Sequence, residues 1–273
     1  MEIFIKVNII NMRNSNGQFS KKYGINESFF NNKNKYFYYL LGLLSSDGNV
    51  KNDRTFSLTQ SNDNGKKLIE FISNMIKSTY PIYTNNNVNS HTITITNQTV
   101  VKVLKNYNIL PNKTLTYKLS DNIPNNMLKY FIQGYIDGDG CIGIYDNGKG
   151  TKSLIVSIVG TEDFINQINE RLKTKGNIRK IKKCKNLFEV RYNGKKALDL
   201  CYEIYDDVVY KSYKFNNFII FKNDTTVGLK YKKYYHVKNI ILDCIKKGDN
   251  IPELSKIYNV PLKTLYTWKY RNN

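Results

Sequence analysis

Residues 130–140 read YFIQGYIDGDG, an apolar run that ends on two carboxylates, Asp137 and Asp139, set among glycines. The C-terminal end of a helix carries partial negative charge and repels acids. Glycine, here Gly140, is the usual residue with which a chain leaves a helix. The stretch therefore predicts a helix that ends on an acid against its own electrostatics. That placement calls for a compensating cation, and a metal ion would supply one.

The stretch has a relative upstream. Residues 38–48, YYLLGLLSSDG, align with it so that Gly42 pairs with Gly134, Asp47 with Asp139 and Gly48 with Gly140, all at the same offset of 92 residues. The downstream segments repeat as well. After Asp47 come the strand-like segments NVKND and TFSLTQ, a helical GKKLIEFISNMIK, the strands PIYTN and HTITIT, and a helix around TVVKVLKNY. After Asp139 come CIGIYD, SLIVSIV, the helix EDFINQINERLK, the strands GNIRKIK and LFEVRY, and the helix KKALDLCYEIY. Each half thus reads αββαββα. A glycine in mid-helix costs roughly 1 kcal/mol against alanine, so Gly42 and Gly134 need a packing reason. Facing each other across a pseudo-twofold axis, they would let two helices run side by side and deliver Asp47 and Asp139 to adjacent points. Like charges so placed raise each other's pKa unless a divalent cation joins them.

LLGLLSSDG and IQGYIDGDG resemble the two signature motifs of single-chain LAGLIDADG homing endonucleases, and the resemblance covers roughly residues 34–222. It implies an α+β fold of two pseudo-symmetric αββαββα subdomains, their antiparallel sheets forming a saddle over double-stranded DNA. The implied activity is site-specific hydrolysis of both strands, leaving short 3′ overhangs and dependent on Mg2+ or Mn2+. Asp47 and Asp139 match the metal-binding acid at the eighth motif position, and Gly48 and Gly140 beside them join the expected metal-binding set. The sixth position is Asp137 in one copy and Ser45 in the other. Gln60 aligns with a glutamine beside the active-site water, whereas its counterpart is Gly160. Lys102 matches a lysine that helps to stabilise phosphate charge. The second half has Asp199 at the equivalent place, with Lys195 or Lys196 a turn earlier. The two centres are therefore expected to be unequal. Two other activities on this scaffold stay open: an RNA maturase that assists splicing of a group I intron, with intron RNA as partner, and a non-catalytic DNA-binding regulator. Retention of both acids argues against the regulator.

Composition agrees with a nucleic-acid partner. Across 273 residues, 42 Lys and Arg against 22 Asp and Glu leave a net charge of +20, which favours a polyanion. The four cysteines form no CxxC pair, which argues against a zinc site and for reduced thiols. With only two histidines, far apart, a histidine base is not expected. No apolar run is long enough to span a membrane, and the opening MEIFIKVNIINM is a poor signal peptide. These features predict a soluble intracellular monomer, in a bacterial or phage cytoplasm or an organelle matrix. No flanking protein-splicing residues are evident, which points to an intron-encoded or free-standing protein.

The strands are expected to present DNA-facing residues at Asn49, Lys51, Arg54, Tyr145, Lys152, Arg179, Lys182, Arg191 and Tyr192, since an antiparallel ribbon fits the major groove. Residues 171–185, RLKTKGNIRKIKKCK, are the densest basic stretch. Near the C-terminus, HVKNIILDCIKK has the apolar spacing of one helix face, and IPELSKIYNVPLKTLYTWKYR fits a helix-turn-helix. There Ser255, Asn259 and Val260 make the turn, Leu265 and Trp268 point inward, and Lys263, Tyr266, Thr267 and Lys269 face the groove or phosphates. A helical hairpin packed on the main domain is the alternative. The expected organisation is a basic extension (1–33), a first subdomain (34–115), a linker (116–125), a second subdomain (126–222), a linker (223–235) and the helix-turn-helix module (236–273).

Overall fold

The computed structural model describes residues 22–146, 152–182, 184, 186–223 and 234–271. Residues 1–21 of the expected extension and 224–233 of the expected second linker lie outside the described residues. The fold is α+β and follows the duplicated pattern. The first half runs α1 (Ser28–Asn31), α2 (Lys35–Ser46), β1 (Gly48–Lys51), β2 (Thr55–Ser61), α3 (Asn62–Met75), β3 (Ile82–Asn85), β4 (Ser90–Thr96) and α4 (Gln98–Lys105), then a 3-10 turn at Lys113–Leu115. The second runs α5 (Asn125–Asp139), β5 (Cys141–Asp146), β6 (Lys152–Thr161), α6 (Glu162–Arg171), β7 (Asn177–Lys180), β8 (Leu187–Asn193), α7 (Lys195–Ile204) and α8 (Tyr213–Asn223). Each half closes one four-stranded antiparallel sheet, in the orders β1-β2-β4-β3 and β5-β6-β8-β7.

The centre of the molecule is the α2–α5 pair. Asn34 starts α2 by accepting the backbone N–H groups of Tyr36 and Phe37. Residues Phe37 to Ser45 of that helix are buried without a break. A helix that is apolar all round belongs inside a protein. A Cβ added at Gly42 would overlap the Phe131 carbonyl, and one at Gly134 would overlap the Tyr39 carbonyl. The mid-helix glycines thus let the two backbones touch, as their pairing predicts.

Gly140 differs from expectation. Its φ of −82° and ψ of 170° are extended rather than left-handed, so glycine is not required there to reverse the chain. Its lack of a side chain is what matters, because a Cβ would stand 2.5 Å from the Cα of Ile136. The left-handed turns fall to asparagines instead, among them Asn52, Asn89 and Asn259, a residue type that tolerates that conformation.

Along the strands, burial alternates as a half-covered sheet demands. Val50, Phe56, Leu58, Ile93 and Ile95 are buried, and their neighbours face outward. The same alternation corrects one expectation. Tyr192 has 0% exposure and is a core residue, not a DNA-facing one, because successive residues of β8 point to opposite faces and Arg191 holds the outward place.

Three features extend the expected pattern. Residues 26–30 pack on the first half: Asn26 N–H donates to the Ile76 carbonyl (2.8 Å), Asn97 Nδ2 donates to Glu27 (2.7 Å), and Phe30 meets Phe37 and Phe56 edge-on. Among the described residues, helix α8 has no counterpart in the first half. It buries Phe215, Phe218 and Phe221, and Asn217 Nδ2 donates to the Ile142 carbonyl on β5 (2.9 Å). Near the C-terminus, α9 (Tyr235–Lys246), α10 (Ile251–Ile257) and α11 (Leu262–Arg271) share their own small core of Ile241, Ile251, Leu254, Val260, Leu265 and Trp268. Asn259 makes the α10–α11 turn at φ 49°, and Ser255 Oγ donates to the Val260 carbonyl (2.6 Å). The four cysteines are free. Among the described residues, no helix is long and apolar enough to cross a membrane.

Candidate active site

The paired helices bring their two terminal acids together. Asp47 is the C-cap of α2 and Asp139 the last residue of α5. Asp47 is half-buried and Asp139 exposed. Burial pushes the Asp47 carboxyl up to about 6, the neighbouring Asp139 charge adds to the rise, and Gln60 and Lys214 oppose it. Gln60, near the end of β2, donates its Nε2 proton to Asp47 Oδ2 (2.5 Å). In the register of the second sheet its counterpart is Gly160, which has no side chain to offer Asp139. The two centres are unequal in this respect.

Two buried lysines that no sequence pattern marked answer the electrostatic problem of the helix ends. Lys113, in the 3-10 turn after α4, donates to the Gly48 carbonyl (2.5 Å) and to that of Ser46 (3.4 Å). Lys214, at the start of α8, donates to the carbonyls of Ile136 (2.6 Å), Asp137 (3.1 Å) and Gly138 (2.7 Å). Each lysine caps the negative end of one acid-bearing helix. Burial lowers the pKa of both, whereas the charges of Asp47 and Asp139 act on both in the opposite direction, joined at Lys214 by Asp137. The compensating cations are therefore built into the chain. Their distances from the acids in sequence are unequal, 66 residues from Asp47 to Lys113 and 75 from Asp139 to Lys214, so the offset of 92 cannot find them. Lys214 alone has a local mark, its aromatic neighbours in SYKFNNF; Lys113, in LPNKTLT, has none.

Lys102 is exposed on α4. The Asp199 carboxyl on α7 is pushed up by burial and pulled down by Lys195 and by Lys238 of α9. Asp137 is not part of the acid pair. It is buried, accepts the Tyr39 hydroxyl (2.7 Å), and ties the two helices together, burial holding its carboxyl up at about 6.

Among the described residues, no group of three or more His, Cys, Asp or Glu could hold an ion. A metal held at this point would have two carboxylates from the protein, Asp47 and Asp139. That donor set fits Mg2+, which commonly keeps several waters and binds through one or two carboxylates plus substrate phosphate. Of the glycines beside the acids, Gly48 already gives its carbonyl to Lys113.

Of the expected DNA-facing residues, Asn49, Lys51, Arg54, Tyr145, Lys152, Arg179 and Lys182 are exposed and Arg191 half-exposed. Of the C-terminal set, Lys263 and Tyr266 are exposed, and Thr267 and Lys269 half-exposed.

No family model matches the sequence, and no curated protein does. Among solved structures, the chain is similar to the LAGLIDADG homing endonuclease I-LtrWI bound to target DNA, at 18% identity over 85% of this chain and 96% of that chain, with a TM-score of 0.42. It is also similar to the meganuclease I-SmaMI bound to uncleavable DNA (11% identity, 78% and 98% coverage, TM-score 0.48). A third is the LAGLIDADG meganuclease I-AabMI bound to uncleaved DNA (14% identity, 80% and 99% coverage, TM-score 0.48).

Proposed function

We propose that this chain is a site-specific endonuclease that hydrolyses both strands of double-stranded DNA, using a divalent metal held by Asp47 and Asp139 and leaving short 3′ overhangs. The observation that carries the reading is the acid pair, set by two touching helices at the point where each open sheet begins. Asp47 and Asp139 would hold the divalent ion, which would supply Lewis-acid chemistry to water and to the scissile phosphate. The chain's own groups prepare the site. Gln60 fixes the orientation of the Asp47 carboxylate, and Lys113 and Lys214 hold the helix ends while reducing the repulsion between the acids. The outward sheet faces offer side chains to the major groove. With Gln60 serving only one acid, the strands are expected to be cut at different rates.

In the same reading the protein acts as a monomer, with residues 34–115 and 126–222 as the pseudo-symmetric halves. The α9–α11 unit is a helix-turn-helix that contacts adjacent duplex through Lys263, Tyr266, Thr267 and Lys269. The test is selection of cleaved sites from a random DNA library with Mg2+ or Mn2+. Recovery of one long motif cut on both strands, absent in EDTA, is expected. Failure to cut any DNA with either metal rejects the endonuclease.

A further inference from the structure

The two outward sheet faces differ in chemistry far more than their shared topology requires. In the first sheet the central strands, β2 and β4, show only hydroxyl residues between their buried positions. Thr55 lies opposite Thr96, Ser57 opposite Thr94 and Thr59 opposite Thr92. Two of these pairs bond to each other across the strands, Thr55 with Thr96 at 3.3 Å and Thr59 with Thr92 at 2.9 Å. Charge is held to the rim, at Lys51 and at Arg54 in the β1–β2 turn. The central strands of this face, with short methyl-and-hydroxyl side chains, have no long donor to reach the acceptor pair of guanine, and their methyl groups suit contact with thymine methyls; Asn49 and Lys51 on β1 and Tyr83 on β3 flank them.

The second sheet carries oriented guanidinium groups, Arg191 at the place of Thr94 and Arg179 on the edge strand at the place of Tyr83. Arg179 on β7 stands opposite Glu189 on β8 and pairs with it through Nε. Glu189 is only 8% exposed, so the acid is a fixed anchor and the arginine its exposed arm. Arg191 stands opposite Ser157, and its Nε donates to Asn193 Oδ1 (3.2 Å). In both arginines Nε is engaged within the sheet. Bracing of this kind presents a planar fork, and the base edge that takes such a fork on both prongs is O6 and N7 of guanine.

We infer that the chain reads an asymmetric DNA site: the half under the first sheet is rich in A·T pairs, and the half under the second is defined by guanines opposite Arg179 and Arg191. This rests on the endonuclease reading. The test is binding selection by the full chain from a library randomised across both halves, with Ca2+ in place of Mg2+. Wild type is expected to select guanines in one half and A·T pairs in the other. Arg179→Ala and Arg191→Ala should each relax one guanine position, by about 10- to 100-fold in discrimination. Thr94→Arg should install a guanine preference in the other half, a gain that misfolding cannot imitate. Equal guanine content in the two halves overturns the inference and leaves the endonuclease standing. So does a uniform loss of affinity in the arginine variants, which would place them on phosphates. Recovery of no preferred sequence at all overturns both readings.

Discussion

Replacing Asp47 by asparagine should stabilise the metal-free protein while destroying its activity, and the gain should depend on pH. In the folded chain the Asp47 carboxyl titrates at about 6 against an ordinary value of 3.8, because burial and the Asp139 charge disfavour its ionised form. A rise of about 2 units at about 1.4 kcal/mol per unit corresponds to at most about 3 kcal/mol. Its sign depends on which state holds the proton more tightly. Below 3.8 the group is protonated in both states and exacts no penalty. Between 3.8 and about 6 the unfolded chain ionises first, so stability falls as pH rises. Above that window the penalty is constant. Asparagine cannot ionise and still accepts the Gln60 proton. Urea denaturation in EDTA should therefore give nearly equal stabilities for wild type and Asp47→Asn near about pH 4, and about 3 kcal/mol in favour of the variant near about pH 8. Saturating Mg2+ should close the gap at the higher pH by stabilising the wild type alone. A difference between the two proteins that is the same at every pH would refute the reasoning.

Gly134→Ala should cost about 3 kcal/mol, because its methyl overlaps the Tyr39 backbone and not a movable side chain. Misplaced acids should also slow cleavage by about 100-fold, whereas Gly24→Ala, into open space, should change neither thermal stability nor rate. Lys214→Met removes the donor to three α5 carbonyls and should cost about 2–4 kcal/mol in urea denaturation. The same variant should move the pH dependence of cleavage upward, since Lys214 opposes the rise in the Asp47 pKa; an unmoved profile would make it structural only. Deleting everything after Lys230 should preserve metal-dependent cutting but weaken binding and shorten the DNase footprint on one side, and an unchanged footprint would make α9–α11 a structural cap.

The sequence declared the fold through a repeated pattern whose every part has a local cause. Two glycines in apolar helices, each trailed by an acid and then by period-two strands, leave few ways to pack. The left-handed turn at Asn259 and the inward Leu265 and Trp268 were legible for the same reason. Facing was lost where two adjacent strand residues were both assigned outward, an arrangement that alternation forbids and that Tyr192 corrects. Lys113 and Lys214 escaped the repeat because a lysine that caps carbonyls from a distant segment leaves no periodic trace. Helix α8, likewise, lies beyond the repeat and carries apolar residues on several sides, so neither duplication nor a clean stripe marks it. The site's partners are therefore the part of the molecule that only three dimensions supply.

The central claim is that Asp47 and Asp139 together make a metal-dependent cutter of DNA. The most direct measurement is cleavage of the selected target, beside its binding, by wild type, Asp47→Asn and Asp139→Asn in Mg2+. The account predicts linear product from wild type alone, with both variants still binding the target. Double-strand cleavage at the wild-type rate by either variant would contradict it.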